Sequence, residues 1–436
     1  MELTSTTNPQ VSMSWKSAVL SGLAPDGGLF IPRSIPRLTV AEIATLRAAS
    51  FQELALEVLY RYLQSEIPKA VLKGICDEAF SFELPLIQVD EKTFVLELFH
   101  GPTCAFKDFG ARFMARLFRY FLKESRDPLT ILVATSGDTG SAVANAFLDQ
   151  SASPPISVVV LFPKGKVSHV QEQQMTTLGH NVTALEIEGT FDDCQKLVKT
   201  ALSDTELQKT VRLTSANSIN IARLLPQSLY YIHAALKFPS ESPPIFSVPS
   251  GNLGNVTGGL MASLMGIPIS HFIVACNSNS VVPEFLATGE FRPAPSIETI
   301  SNAMDVGNPS NFSRILALLG FSREEVGNHL SAYSINDEET RKELRDVFHT
   351  TGYLLDPHAA VGHAGLVRYR DFCGSRAPGI VLGTAHPAKF GEAVAACSDK
   401  SPELPDQLIA ALNLKGDKIS LSSEYTPLRQ LLQSLR

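Results

Sequence analysis

The chain has 436 residues, 44% hydrophobic and 19% charged, enough for two or three domains around a well-buried core. A net charge of -7 leaves no basic footprint for nucleic acid, and no apolar run is long enough to span a bilayer. Six scattered cysteines (Cys76, Cys104, Cys194, Cys276, Cys373, Cys397) without a C-x-x-C pair argue against a disulfide scaffold or a zinc site. The N-terminal stretch MELTSTTNPQVSMSW has neither a signal-peptide core nor an Arg-rich leader, so a soluble cytoplasmic protein is expected.

In chain order, the first ninety-odd residues hold the Gly/Pro-rich GLAPDGGLFIP (22–32) and the amphipathic FQELALEVLYRYL (51–63), which read as a packing layer ahead of the main fold. In ELFHGPTCAFKDFGARF (97–113), Gly101 and Pro102 punctuate a turn, after which Phe109, Phe113, Leu117 and Phe121 recur as one apolar helix face. Lys107 stands at that junction. It is either a lysine whose stem lies on apolar surface while its ammonium is solvated, or a desolvated amine able to act as nucleophile or base.

The next segments repeat one arrangement, a short Val/Ile/Leu run ending in a polar turn and followed by a helical stretch. TILVATSGDTG (130–140), ISVVVLFPKGK (156–166), IFSVPSGNLGN (245–255), HFIVACNSN (271–279) and GIVLGTAHP (379–387) all follow it. Continuous apolar strands alternating with helices predict a parallel α/β sheet, with ligands outside the carboxyl ends of the strands. FPSESPPIF (238–246) reads as a hinge or surface connection, and CSDKSPELPDQ (397–407) as a polar stretch before C-terminal helices. The expected segments are therefore 1–95, 96–240 and 241–436.

Three turns carry candidate chemistry. PSGNLGN (249–255) follows a strand and precedes a helix expected near Val256; glycines and a helix N-terminus suit an anion, though an ordinary turn has the same letters. It is neither a GKT/S phosphate loop nor a full GxGxxG fingerprint. In TSGDTGSA (135–142), Thr135, Ser136 and Thr139 can donate hydrogen bonds to a carboxylate or phosphate, or can simply cap a helix. SANSINIARLL (215–225) places Asn217, Ser218, Asn220 and Arg223 near the start of a helix expected at about Ser218; Arg223 suits phosphate, while a surface ion pair is the commoner use of one isolated Arg. His358 and His363 lack the i, i+4 spacing of a helical metal pair, and His386 reads as a structural donor, so no metal is assigned.

A suspect lysine, two anion-competent turns and an Arg-bearing segment suggest a phosphorylated, amine-reactive cofactor, as in pyridoxal phosphate chemistry. The motifs GLAPDGGLFIP, ELFHGPTCAFKDFGARFMARLF, ATSGDTGSAVA, NSINIARLL, SVPSGNLGN, SNAMDVGNPSN (301–311) and LGTAHPAKF (382–390) also resemble, in order and over most of the chain, the threonine synthase family. The resemblance implies a tryptophan-synthase-β-like fold (fold type II), with two parallel-sheet α/β domains and an N-terminal extension. It implies pyridoxal 5'-phosphate as cofactor and conversion of O-phospho-L-homoserine and water to L-threonine and phosphate, by a monomer or homodimer. Lys107 then matches the imine lysine, and Gly251, Asn252, Leu253 and Asn255 the loop around the cofactor phosphate. Thr384 matches the residue facing the pyridine nitrogen. Ser136 and Thr139 fall in the loop expected to take the substrate's carboxylate and nearby phosphate, and Asn217, Ser218 and Arg223 match positions expected around the substrate phosphate. Leu253 stands where members of that family often carry Phe, which matters little if the contact is a main-chain N–H. A phospholyase releasing 2-oxobutyrate, or a dehydratase, would share the lysine and the loop. A non-catalytic scaffold would be free to lose both.

Overall fold

The computed structural model describes residues 1–125, 127–149, 151 and 155–435. Its strands are β1 (Leu3–Ser5), β2 (Ser12–Met13), β3 (Phe30–Pro32), β4 (Leu86–Gln88), β5 (Thr93–Glu97), β6 (Leu129–Ala134) and β7 (Ile156–Pro163). They continue with β8 (Val182–Glu188), β9 (Leu213–Ser215), β10 (Ile245–Pro249), β11 (His271–Cys276), β12 (Leu330–Ser334), β13 (Gly379–Gly383) and β14 (Ile419–Ser422). Two sheets form the body of the molecule, one in the order β12-β11-β10-β13-β5-β4 and the other β14-β8-β7-β6-β9. All their pairings are parallel except β4 with β5. β6, β10 and β13 are buried at every position, which accounts for their unbroken apolar letters.

Sheet membership does not follow the three expected segments. β4 and β5, mostly before residue 96, complete the sheet of β10 and β13. β14, near the C-terminus, pairs in parallel with β8 of the other sheet. The chain thus crosses between the two units at both ends.

The N-terminal layer is a small antiparallel sheet, β2-β1-β3, with four helices. Helix Phe51–Leu63 opens on a capping box between Ser50 and Glu53 and buries Phe51, Leu54, Ala55, Val58, Leu59, Tyr62 and Leu63. The layer meets helix Lys107–Phe121 at two points: Phe51 packs edge-on against Phe109 at 5.8 Å, and Phe80, the C-cap of helix Lys69–Ala79, stacks on Phe113 at 6.1 Å. Phe109, Phe113 and Leu117 are fully buried, each contributing roughly 1.5–3 kcal/mol through removal from water. The layer therefore holds the helix that begins at Lys107. No helix among the described residues is long and apolar enough to cross a membrane.

Candidate active site

Lys107 opens its helix directly after a short backbone splice. Ala105 forms an isolated antiparallel bridge with Ala385, the Phe106 N–H donates to the Thr384 carbonyl at 2.9 Å, and the His386 N–H donates to the Cys104 carbonyl at 3.0 Å. The GPTCAFKD and GTAHP segments are thereby fixed side by side. Asp108 folds back under the splice, accepting from the Thr103 N–H and hydroxyl at 2.8 Å each. A Cβ on Gly101 would lie 2.5 Å from the Asp108 carboxylate, so the turn needs glycine there. Burial pushes the Asp108 pKa up to about 6 in spite of those donors.

Among the described residues the Lys107 amine has no hydrogen bond or ion pair; it lies 4.8 Å from the centre of the Phe106 ring. Burial pulls its pKa down to about 8 from an ordinary 10.5, against the opposing pull of the Asp138 carboxylate. The amine borders a cleft of about 870 Å³ of empty space, partly open to solvent. The cleft gathers the carboxyl ends of β6, β9, β10 and β13, as expected for parallel sheets.

One wall is the turn after β10. Helix Gly254–Leu264 has no side-chain cap; its N-cap, Leu253, sits at φ 61°, a left-handed conformation that is costly for leucine. The N–H groups of an uncapped first turn have no intrahelical acceptor and offer partial positive charge. A Cβ on Gly251 would come within 2.7 Å of the Met304 Cα, so the glycine is required by the neighbouring 301–311 segment. Asn252 braces the same segment through the Ser310 N–H at 2.6 Å. Asn255 accepts from two tyrosines, and its Nδ2, though buried, has no partner among the described residues.

The turn after β6 is built differently. The Thr135 hydroxyl is turned inward and accepts from the Gly137 and Gly140 N–H groups at 2.9 and 2.8 Å, so Thr135 caps the helix instead of facing a ligand. Ser136 and Thr139 border the cleft, half-buried, with hydroxyls that make no protein hydrogen bond among the described residues. Between them the buried Asp138 pairs with Lys389 at 2.8 Å and accepts from Gln171 at 2.8 Å. Burial alone would raise the Asp138 pKa; the Lys389 and Lys107 cations hold it well below the usual carboxylate range instead. Lys389 also donates to the Thr103 carbonyl at 2.9 Å, tying this turn to the splice below Lys107.

In the third segment the helix begins later than the sequence suggests, at Ile221, because Asn220 caps it by accepting from the Ala222 N–H. The Asn217 amide is taken up by both backbone groups of Ala134. The Ser218 hydroxyl accepts from Asn311, and its Cβ abuts the first turn of the Gly254–Leu264 helix. Arg314, fully buried, supports the loop from below through the carbonyls of Ser218, Ile219 and Phe30. Arg223 is only 3% exposed and has no carboxylate partner among the described residues. One guanidinium nitrogen donates to the Ala216 carbonyl at 2.7 Å, while its Nε is unpartnered. Burial lowers its pKa to about 10, so it remains a cation, held where an anion would be well received.

All eleven residues expected at the site border this one cleft: Lys107, Ser136, Thr139, Asn217, Ser218, Arg223, Gly251, Asn252, Leu253, Asn255 and Thr384. Asp138, Lys389 and His358 also stand at the site, without a role assigned to them from the sequence. His358 also borders the cleft; its Nδ1 donates to Asp356 at 2.7 Å and its Nε2 accepts from the Ala303 N–H at 3.2 Å. The D-P-H spelling at a helix start was the available signal, since Asp356 is also the N-cap. His386 is structural: its Nδ1 accepts from the Ala388 N–H and caps the next turn.

Comparison with known proteins follows this geometry closely. A family model described as pyridoxal-phosphate dependent enzyme matches residues 83–382, one for the threonine synthase N terminus matches 2–80, and one for the threonine synthase C-terminal region matches 359–429. The threonine synthase of Escherichia coli (strain K12) is 41% identical over 431 residues, covering 98% of this chain and 97% of its own. A crystal structure of the E. coli protein superposes with a TM-score of 0.93 at 40% identity, covering 100% of both chains. That of a PLP-bound threonine synthase from Brucella melitensis gives 0.91 at 37% identity, covering 100% of this chain and 99% of that one.

Proposed function

This chain belongs to the threonine synthase family of pyridoxal-phosphate-dependent enzymes, and on that premise we propose how its residues divide the reaction. The reaction converts O-phospho-L-homoserine and water to L-threonine and phosphate. The residues of the cleft fit the cofactor. An uncapped helix N-terminus suits its phosphate, the orphaned Asn255 Nδ2 lacks an acceptor, and the Lys107 amine has no competing partner.

Gly251, Asn252, Leu253 and Asn255 would hold the cofactor phosphate, Lys107 would bind the cofactor, and the Thr384 hydroxyl would meet its ring nitrogen. When bound, the cofactor supplies an electron sink for negative charge formed on the substrate carbons. Lys107 Nζ, neutral in a fraction that grows as pH rises through about 8, takes the proton from the substrate α-carbon and then serves the β-carbon. The Ser136 and Thr139 hydroxyls orient the substrate carboxylate. Arg223 and the Ser218 hydroxyl gather charge on the phosphate as its bond to the γ-carbon breaks, on a loop that Asn217 fastens to Ala134. Water supplies the hydroxyl at the β-carbon, and the γ-carbon gains the proton that makes it a methyl. A cytoplasmic monomer or homodimer is the proposed working form.

The observation that carries these roles is a single unpaired lysine sharing one cleft with an uncapped helix end and an unpaired buried arginine. Product analysis tests them. Cofactor-loaded enzyme given O-phospho-L-homoserine should release L-threonine and phosphate in equal amounts; 2-oxobutyrate as the main product would overturn the assignment.

A further inference from the structure

Tyr230 and Tyr231 are consecutive on helix Gln227–Lys237, so their side chains leave the axis about 100° apart. Their hydroxyls nonetheless converge on one atom, each 2.7 Å from the Asn255 Oδ1. Both rings are fully buried: Tyr230 packs on Phe109 at 5.3 Å, and Tyr231 on Phe246 at 5.0 Å and Phe272 at 5.9 Å. The approach depends on Gly258 and Gly259, where a Cβ would lie 2.9 Å from the Gln227 backbone and 2.6 Å from the Phe272 ring.

Two phenol donors saturate both lone pairs of Oδ1 and fix the plane of the amide. The Asn255 Nδ2 is then left buried, beside the cleft, without an acceptor among the described residues. Turning the amide over would not relieve the site. Gln227 Oε1, 3.4 Å from the Tyr230 hydroxyl, could take that proton, but the Tyr231 proton would have no acceptor among the described residues. An anion at the first turn of the Gly254–Leu264 helix satisfies every group at once.

We infer that Tyr230 and Tyr231 are positioning residues for the cofactor phosphate, locking the Asn255 amide with its Nδ2 turned to that anion. The inference rests on the reading that the 251–255 turn holds the cofactor phosphate, and it extends that hold from the main chain to a side chain with two supports. Burial raises both phenol pKa values well above the ordinary one, so the pair stays protonated and donating at any working pH.

The test is equilibrium titration of the full-length, cofactor-resolved enzyme with pyridoxal phosphate and with pyridoxal, which has a hydroxymethyl in place of the phosphate ester. For the Tyr230→Phe/Tyr231→Phe double variant the Kd for pyridoxal phosphate should rise about 10- to 100-fold, the range of one charge-assisted hydrogen bond, with pyridoxal unchanged. Unchanged binding of both, or equal loss of both, would overturn the role. Should the double variant fail to fold, Asn255→Asp keeps both phenol contacts and replaces Nδ2 by an oxygen. It should weaken pyridoxal phosphate at least as much and spare pyridoxal; parent-like affinity for both ligands would overturn the proposal. Gly251→Val separates the two readings. Phosphate-specific loss there, with parent-like tyrosine and Asn255 variants, rejects the tyrosine role alone. No phosphate-specific loss in Gly251→Val or Asn255→Asp rejects the turn itself.

Discussion

Two corners of this molecule have nearly the same letters, S-G-D-T-G after β6 and S-G-N-L-G after β10, each leading from a buried strand into a helix. They differ in what the backbone amides do. After β6, the preceding Thr135 accepts two of the turn's N–H groups, and the acid of the turn is neutralised by Lys389. That leaves two hydroxyls, Ser136 and Thr139, facing the cleft. After β10 the preceding residue is Pro249, with no side-chain acceptor, and Leu253 takes a left-handed conformation so that the helix begins uncapped. One corner presents side chains and the other presents backbone. A permanent, dianionic ligand suits rigid backbone dipoles; a substrate that must enter and leave suits hydroxyls.

On the proposed division of roles Lys107 serves both corners, so its loss should be the largest effect: Lys107→Ala should abolish turnover and the visible absorbance of bound cofactor while the protein stays folded. Residual turnover with bound cofactor would break the shared role. Next, Lys389→Met leaves the Asp138 carboxylate buried and unpaired, which should cost about 3–5 kcal/mol in denaturant unfolding. A loss under 1 kcal/mol would mean that the hydroxyl corner does not depend on the pair. Gly251→Val strikes the backbone corner. Its side chain meets main-chain atoms of Ala303 and Met304, which cannot swing aside, and cofactor affinity should fall about 100-fold, roughly 2.7 kcal/mol. Retention of cofactor on dialysis would give the turn another task. The smallest effect belongs to Thr135→Val, which leaves two N–H groups without their acceptor and should cost about 1–2 kcal/mol in stability, with cofactor affinity unchanged. Weaker cofactor binding in that variant would erase the distinction between the corners.

Much of this was legible in the sequence, for physical reasons. Strands buried on both faces must be continuously apolar, so β6, β7, β10, β11 and β13 announce themselves, and the helix face of Phe109, Phe113 and Leu117 does likewise. Sheet membership was not legible, because nothing in the local pattern TFVLE tells a strand such as β5 which distant neighbour it joins. The register of SANSINIARLL was misjudged at Ser218, although Asn220 before an apolar run is a regular cap signal. Lys389 lay inside a quoted motif without a role. Its partner Asp138 is remote in the chain, and the two meet only in the fold, where Lys389 also reaches the Thr103 carbonyl. Asn255 and its tyrosines likewise meet only where helices Gln227–Lys237 and Gly254–Leu264 pack together.

The separation of the two phosphate sites is tested most directly by phosphorus NMR of the cofactor-loaded enzyme titrated with inorganic phosphate, in wild type and Arg223→Ala. Arg223 is buried, cationic and unpaired beside the hydroxyl corner's cleft. The account predicts one fixed cofactor resonance in both proteins, and a second, exchanging phosphate site that is lost with the arginine. A cofactor resonance that shifts or vanishes in Arg223→Ala, with inorganic phosphate still bound, would contradict it.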